Sequence, residues 1–513
     1  MLMDRQTTIV IENKSNAIAA LLTEQKRKYR LLFIIICASV TLLTPPLVLT
    51  GIVAGLNVLL AICAVIVVVA VIARWPYTGF FVVSGCLVLI DQAPLVANVV
   101  TDRLNVYYWP PALEGLPERP IGFLFLVILF SMICHRLSKG QPLLKGGALL
   151  VPYLLFFLCL AGGALYGLTT GGDTKIIVVE LRPFIYLFES YLVAYNLVSR
   201  KSHVRIFFWF VIVGAGVKAL QGIYIYFIAL HGQLGDNTVL SHEESYFFIG
   251  LLLLVVLLSL HQRYRPQLVA ALCVLPFVVV TLVLNDRRAD YVALLAGLGT
   301  AWVLMFLCKP QARKLLVILG VSGLVLGVGY IAVFANSTAG YAKPANAIIA
   351  VFHPNLNDTR DNNSNAYRNI ENFDLKYTIQ HNNFLFGLGF GKPYLQPTPL
   401  TTVFQNIQAV DIYYNYVPHN NIYWVWMRLG AVGFLVFWFL IGSIIARGSI
   451  IARQLRDPYL QLVAIYAVAM TIMEIIVALA DYQLFFYRNV IYLGLLAGIL
   501  MKLPELDKEE SRV

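Results

Sequence analysis

The chain has 513 residues, 59% of them hydrophobic and only 13% charged, with a mean hydropathy of +0.76, whereas an ordinary soluble domain carries roughly 25% charged residues. That composition excludes a soluble globular protein. The net charge of +11 would suggest nucleic acid in a soluble chain, but here the basic residues gather in short connections between apolar runs, which is a membrane-topology signal, and no nucleic-acid partner is expected.

Residues 1–30, "MLMDRQTTIVIENKSNAIAALLTEQKRKYR", are too polar for a signal peptide and close on Lys26, Arg27, Lys28 and Arg30, so they read as a cytoplasmic leader. Residues 31–335 hold eleven apolar runs: 31–49, 51–73, 77–96, 121–137, 147–167, 181–198, 206–230, 245–261, 267–284, 288–308 and 315–335. Such runs are long enough to cross a hydrocarbon core of about 30 Å. They are continuous rather than alternating, which predicts helices and not barrel strands. Pro45-Pro46 leaves open whether residues 31–73 form two spans or one broken element.

Residues 336–418, rich in Asn, Tyr, Pro and Gly, are too polar to span and exceed an ordinary connection. Their many aromatic residues argue for order. Three more runs follow, 419–446, 459–480 and 484–501, within a block 419–502, and 503–513 reads as a cytoplasmic tail. The expected fold is an all-α, polytopic integral membrane protein of about 14 (12–14) transmembrane helices with one large periplasmic loop.

An inside N-terminus puts most Lys and Arg in inner segments, for example Arg136/Lys139/Lys145, Arg200/Lys201/Arg205 and Arg447/Arg453/Arg456, as the positive-inside rule requires. Both termini are therefore expected in the cytoplasm, with the 336–418 loop outside. The seven cysteines lie in or at the ends of apolar runs without any C-x-x-C, so neither a disulfide framework nor a zinc site is indicated.

In this topology the stretch "VPHNNIYWVWMRLGAVGF" puts His419 where the chain re-enters the membrane, with Arg428 farther in. Arg287 and Arg288 of "LNDRRADYVALL" sit at the outer mouth of a span, and Arg368 of "NSNAYRNIENF" lies in the outer loop. Ionisable groups near a bilayer interior are kept where they face a cavity or do chemistry.

Each residue also has a plainer reading. His419 and Asn420 could simply cap a helix; Arg287 and Arg288 could be snorkelling anchors. Arg287 could also pair with Asp286 or Asp290. Arg182 of "ELRPFIYLFESY" could meet phosphate or pair with Glu180 or Glu189. The glycines of "GLGFGKP", Gly387 and Gly389 among them, could cradle phosphate or form a turn. Lys218 and Glu474, buried mid-span, are equally consistent with cross-helix pairs. His381-Asn382-Asn383 echoes His419-Asn420-Asn421 without the glycines downstream.

His419-Asn420, nine residues from Asn421 to Leu429, then Gly430-Ala-Val-Gly433 form a pattern that resembles the signature of the O-antigen ligase and O-antigen polymerase superfamily. Upstream, Arg368 followed by Gly387, Gly389 and Gly391, and Arg288 at the start of an earlier span, match the family's order over about residues 280 to 440. The resemblance implies a glycosyltransferase of the bacterial inner membrane that takes a glycan from undecaprenyl diphosphate on the periplasmic face. It implies catalytic His419, Arg288 and Arg368, with Arg287, Asn420, Arg182, Gly387 and Gly389 binding substrate.

The expected partners are the lipid-linked glycan, a glycan or lipid acceptor, membrane lipids and other polysaccharide-assembly proteins. No cofactor or metal is expected: no Asp-x-Asp occurs, and Glu505-x-Asp507 lies in the tail. Phe434 after the final glycine, where the ligase form prefers Gly, Thr or Tyr, and two spans beyond twelve tilt the expectation to polymerase over ligase. The competing class is a transporter or flippase of lipid-linked oligosaccharide or small solute. It should show internal repeats with helices broken near the midplane, and no convincing inverted repeat is found.

Overall fold

The computed structural model describes residues 56–92, 106–108, 118–233, 238–261, 265–335, 337, 340–352, 359–398 and 415–510. The expected leader at 1–30 and the expected span at 31–49 lie outside them. The chain divides into two units, Met1–Arg74 and Trp75–Val513. Of the first, helix α1 (Leu56–Arg74) is described, apolar from Val58 to Ala73 and ending on Arg74.

The second unit contains α2 (Tyr77–Leu89), α3 (Pro120–Leu137), α4 (Leu150–Thr169), α5 (Thr174–Leu197), α6 (Lys201–Tyr224), α7 (His242–His261), α8 (Arg265–Asn285), α9 (Arg288–Cys308), α10 (Arg313–Phe334), α11 (Lys343–Phe352), α12 (Thr359–Gln380), α13 (Asn421–Gln454), α14 (Pro458–Ala478) and α15 (Tyr487–Glu510). No strand occurs among the described residues; one isolated bridge joins Asn383 to Gly387. Ten of the described helices are long and apolar enough to cross a membrane. The chain is thus, by length and composition, an all-α multi-pass membrane protein. The described parts of the expected runs from 51–73 onward each meet a helix, with α2 stopping at Leu89 short of the expected 96. The largest shifts are at α13 and α15, which continue past 446 and 501 to Gln454 and Glu510, because basic residues at a span's end do not interrupt a helix.

Sequence directly explains the starts of α5 and α14. Asp173 accepts from Lys175 N at 2.7 Å and Ile176 N at 3.3 Å, and Asp457 accepts from Leu460 N at 2.9 Å ahead of Pro458; an Asp N-cap with Pro in the first turn satisfies amides that the helix cannot. The core is α14 and α15, buried over most of their length, with α5 against α15, α9 and α13 against α14, and α8 against α6 and α7. A Cβ at Gly494 of α15 would lie 2.3 Å from Leu187 O of α5; without hydrophobic drive between helices in lipid, small residues allow this close approach. α10 buries only Leu316.

Buried charges are paired at one end of this bundle. Lys218 Nζ lies 2.5 Å from Asp91 and 3.7 Å from Glu244, and Arg488 pairs with Glu244 and lies 3.5 Å from Glu243. Lys218 thereby takes the cross-helix pairing left open by the sequence. Glu474, fully buried, lies 3.5 Å from Asn489 Nδ2.

Candidate active site

Four elements supply the site. The α8–α9 turn is tight: Asp286 adopts a left-handed φ of 52°, which aspartate tolerates better than most residues, and pairs with Lys343 of α11 at 2.9 Å. The turn delivers Arg287 and Arg288 at the very start of α9. Arg287 does not pair with Asp286; it pairs with Asp481, in the connection between α14 and α15. Arg288 donates from Nη2 to Asn365 Oδ1 on α12 at 3.2 Å.

The expected outer loop is therefore partly helical. On α12, Asn365, Arg368 and Glu371 recur every third residue, a spacing that puts side chains on neighbouring positions of one face. Glu371 is buried, and both its oxygens serve one residue: Oε2 accepts from His419 N at 3.0 Å and Oε1 meets His419 Nδ1 at 3.1 Å. Since an ionised carboxylate only accepts, Nδ1 carries the hydrogen in this pair. The imidazole, with 19% of its side chain exposed, lies edge-on to Tyr367 and Tyr482 at 5.3 Å from each.

Arg368 lies within electrostatic reach of Asp481, Arg287, Arg288 and Glu371. Burial pulls its pKa below the usual guanidinium value, as do Arg287 and Arg288, while Asp481 and Glu371 oppose them. Asp481 is the counter-ion: His242 Nδ1 stands 3.4 Å from it. Burial opposes its ionisation, yet Arg287, His242 and His419 hold its carboxyl well below the ordinary range. A carboxyl depressed in this way adds stability above its unfolded pKa of about 3.9 that is lost as pH falls through the lower folded value. Acidification from pH 7 to about 4 is thus expected to leave the Arg287–Asp481 contribution to detergent-solubilised thermal stability in place, with Asp481→Asn as the comparison; convergence of the two proteins' melting temperatures already at pH 5 would contradict this.

The structure therefore brings Arg287, Arg288, Arg368 and His419 together. Asn420 stands behind them as the α13 N-cap, accepting from Tyr423 N at 3.0 Å and donating to Asn372 at 3.0 Å, so the capping reading holds for Asn420 beside the histidine. Arg182 stands apart. Its Nη1 donates to Tyr487 Oη at 3.1 Å, and its carboxylate neighbour is Glu118, at 3.8 Å from Nε, rather than Glu180 or Glu189. Helix residues two apart point to different sides, and Glu180 is engaged elsewhere.

That engagement accounts for Arg428. Fully buried, it reaches Glu180 at 2.5 Å and donates to Gly389 O at 3.0 Å, Lys392 O at 2.6 Å and Tyr416 O at 2.9 Å. Glu180 also accepts from Gly391 N at 2.7 Å. Gly430 breaks α13 with φ 61° and ψ −167°, and the 384–389 backbone lies against the break: Leu388 N donates to Met427 O at 2.7 Å, Gly389 N to Arg428 O at 3.1 Å and Ala431 N to Phe384 O at 2.9 Å. A Cβ at Gly387, whose φ is 73°, would meet Met427 O at 2.5 Å. Gly387 and Gly389 are consequently packing residues whose amides are spent inside the protein, Gly387 N on Asn383 O at 2.7 Å; the phosphate-cradle expectation for them gives way to the turn reading. His381 stacks on Tyr377 and bonds to its carbonyl at 2.9 Å.

Residues missed by the sequence reading are Glu371, Asp481, His242, Tyr367 and Tyr482. Glu371 had a local signal, three residues after Arg368 on a polar helix, and Asp481 another, an acid in the short connection between two long apolar runs. Among the described residues no group of three or more His, Cys, Asp or Glu is spaced to hold a metal ion. No family model matches the chain, and no curated protein matches it.

Proposed function

We propose that this protein is a membrane glycosyltransferase of the O-antigen ligase and polymerase type, transferring a glycan from undecaprenyl diphosphate to a sugar hydroxyl on the periplasmic face of the inner membrane. The observation that carries the reading is the grouping of Arg287, Arg288 and Arg368 with Asp481 and Glu371, the two carboxylates that also engage the His419 imidazole, at one end of an apolar helical bundle. In such a transfer the acceptor oxygen bonds to the anomeric carbon, the bond to the diphosphate breaks, and the acceptor proton goes to a base. His419 suits that base, and Glu371 stabilises the imidazolium that forms. Charge growing on the departing diphosphate needs fixed cations that stay ionised near lipid, a role suited to Arg288 and Arg368. Arg287, tied to Asp481, positions its neighbour. The leaving group is already activated, so no nucleotide is required, and the reading includes no metal.

The transporter alternative predicts a polar site at mid-bundle; the cluster lies instead at helix ends. Purified protein in proteoliposomes is expected to release undecaprenyl diphosphate from a lipid-linked glycan in the presence of EDTA. Absence of release with the donor and acceptor of its own host would overturn the proposal. A deletion strain accumulating single lipid-linked units identifies a polymerase, the form favoured by Phe434, and one accumulating long lipid-linked chains a ligase.

A further inference from the structure

Between α12 and the glycine turn, three consecutive apolar side chains project outward: Phe384, Leu385 and Phe386 are 62%, 50% and 57% exposed. Their turn is rigid. Asn383 Oδ1 accepts from Leu385 N and Phe386 N at 3.0 Å each, and the backbone is pinned to the α13 break by Ala431 N to Phe384 O and Val432 N to Leu385 O at 3.3 Å. Keeping three large apolar groups in water on a stiff turn is unfavourable, since the turn cannot fold them away.

The level of the turn says what covers it. Arg447 marks the inner end of the span, so from Ala431 to Ala446 the membrane part of α13 beyond the break runs about 16 residues, or roughly 24 Å at 1.5 Å per residue, most of a hydrocarbon core of about 30 Å. The break, and the turn pinned to it, therefore lie in the leaflet on the site's side, close to the edge of the hydrocarbon core. The exposed turn also continues a lipid-facing surface: just below it on α13, Val432 and Leu435 are 44% and 68% exposed. Beside it, Lys392 Nζ lies over the Tyr166 ring at 5.7 Å, a cation and an aromatic at headgroup depth, matching anionic phosphates.

We infer that the Phe384-Leu385-Phe386 turn is a membrane mooring, inserted into the headgroup and acyl boundary of the leaflet on the site's side, its occupant being bilayer lipid. Because α12 ends at Gln380 and carries Arg368 and Glu371, the mooring sets the depth of those groups relative to the leaflet. The inference stands on burial and geometry, independently of the enzyme reading.

The test is a photoreactive benzoylphenylalanine in place of Leu385 in the full chain, irradiated in native membranes and analysed by mass spectrometry, with the same probe at Leu435 as a lipid-facing reference. Lipid adducts at both positions are expected, and adding Phe384→Asp with Phe386→Asp is expected to abolish those at 385 while leaving the melting temperature within a few degrees. A protein–protein adduct at 385, whether with a second copy or another protein, overturns the inference. So does the lack of lipid adducts at 385 where 435 gives them.

Discussion

His419→Ala is expected to lower the rate of undecaprenyl diphosphate release by roughly 10²–10⁴-fold, the usual contribution of a positioned general base, with unchanged membrane insertion. The buried Glu371 loses its side-chain partner, so the melting temperature is expected to fall as well, but because the imidazole is 19% exposed the gap admits water and the fall is smaller than for a sealed pair. The backbone tie from His419 N to Glu371 Oε2 at 3.0 Å survives the change. Glu371→Gln separates orientation from proton chemistry. The amide can keep a contact with Nδ1 but brings no charge to an imidazolium, so it is expected to show a smaller loss, falling in kcat with KM little altered. A wild-type rate in His419→Ala, measured with lipid-linked donor and defined acceptor, would remove the histidine from the mechanism, and a KM effect alone would make it a binding residue.

The largest structural effect should come from Arg428→Ala. A buried pair is weak evidence of net stability, but removing one partner leaves the other charged and unpaired at a cost of about 3–5 kcal/mol. Here Glu180 would be stranded, and Gly389, Lys392 and Tyr416 would each lose a guanidinium donor to their carbonyl. Arg428→Lys should rescue little, since one ammonium cannot reproduce a planar fork serving four acceptors. Arg428→Met combined with Glu180→Gln should recover much of the melting temperature in detergent, because both charges then vanish together. If Arg428→Ala melts with the wild type, the fork does not hold the glycine turn to the α13 break.

Signals set by local spacing were legible in the sequence. Apolar runs located the helices because lipid leaves the backbone no other partner, and His419 stood out because a titratable group opened a span. Arg287's partner was not legible: Asp286 and Asp290 are its neighbours in sequence, yet Asp481 is 194 positions away. The same holds for His419 and Glu371, 48 positions apart, since acids in a polar loop are ordinary until a fold selects one. Arg428 read as a functional suspect at membrane depth and proves to be an anchor for backbone carbonyls. Gly387 and Gly389 were visible as residues, but the use of their amides could be settled only by which carbonyls lay opposite.

The pairing of Arg287 with Asp481 also sets a timetable. A ribosome delivers the first residue long before the second, and the carboxylate arrives only with the hairpin of α14 and α15. Until that hairpin enters the membrane, the arginine lacks this counter-charge and the histidine lacks Tyr482. A chain that stops short of this hairpin therefore has no finished centre, so whatever chemistry resides there begins only once α14 and α15 are in place.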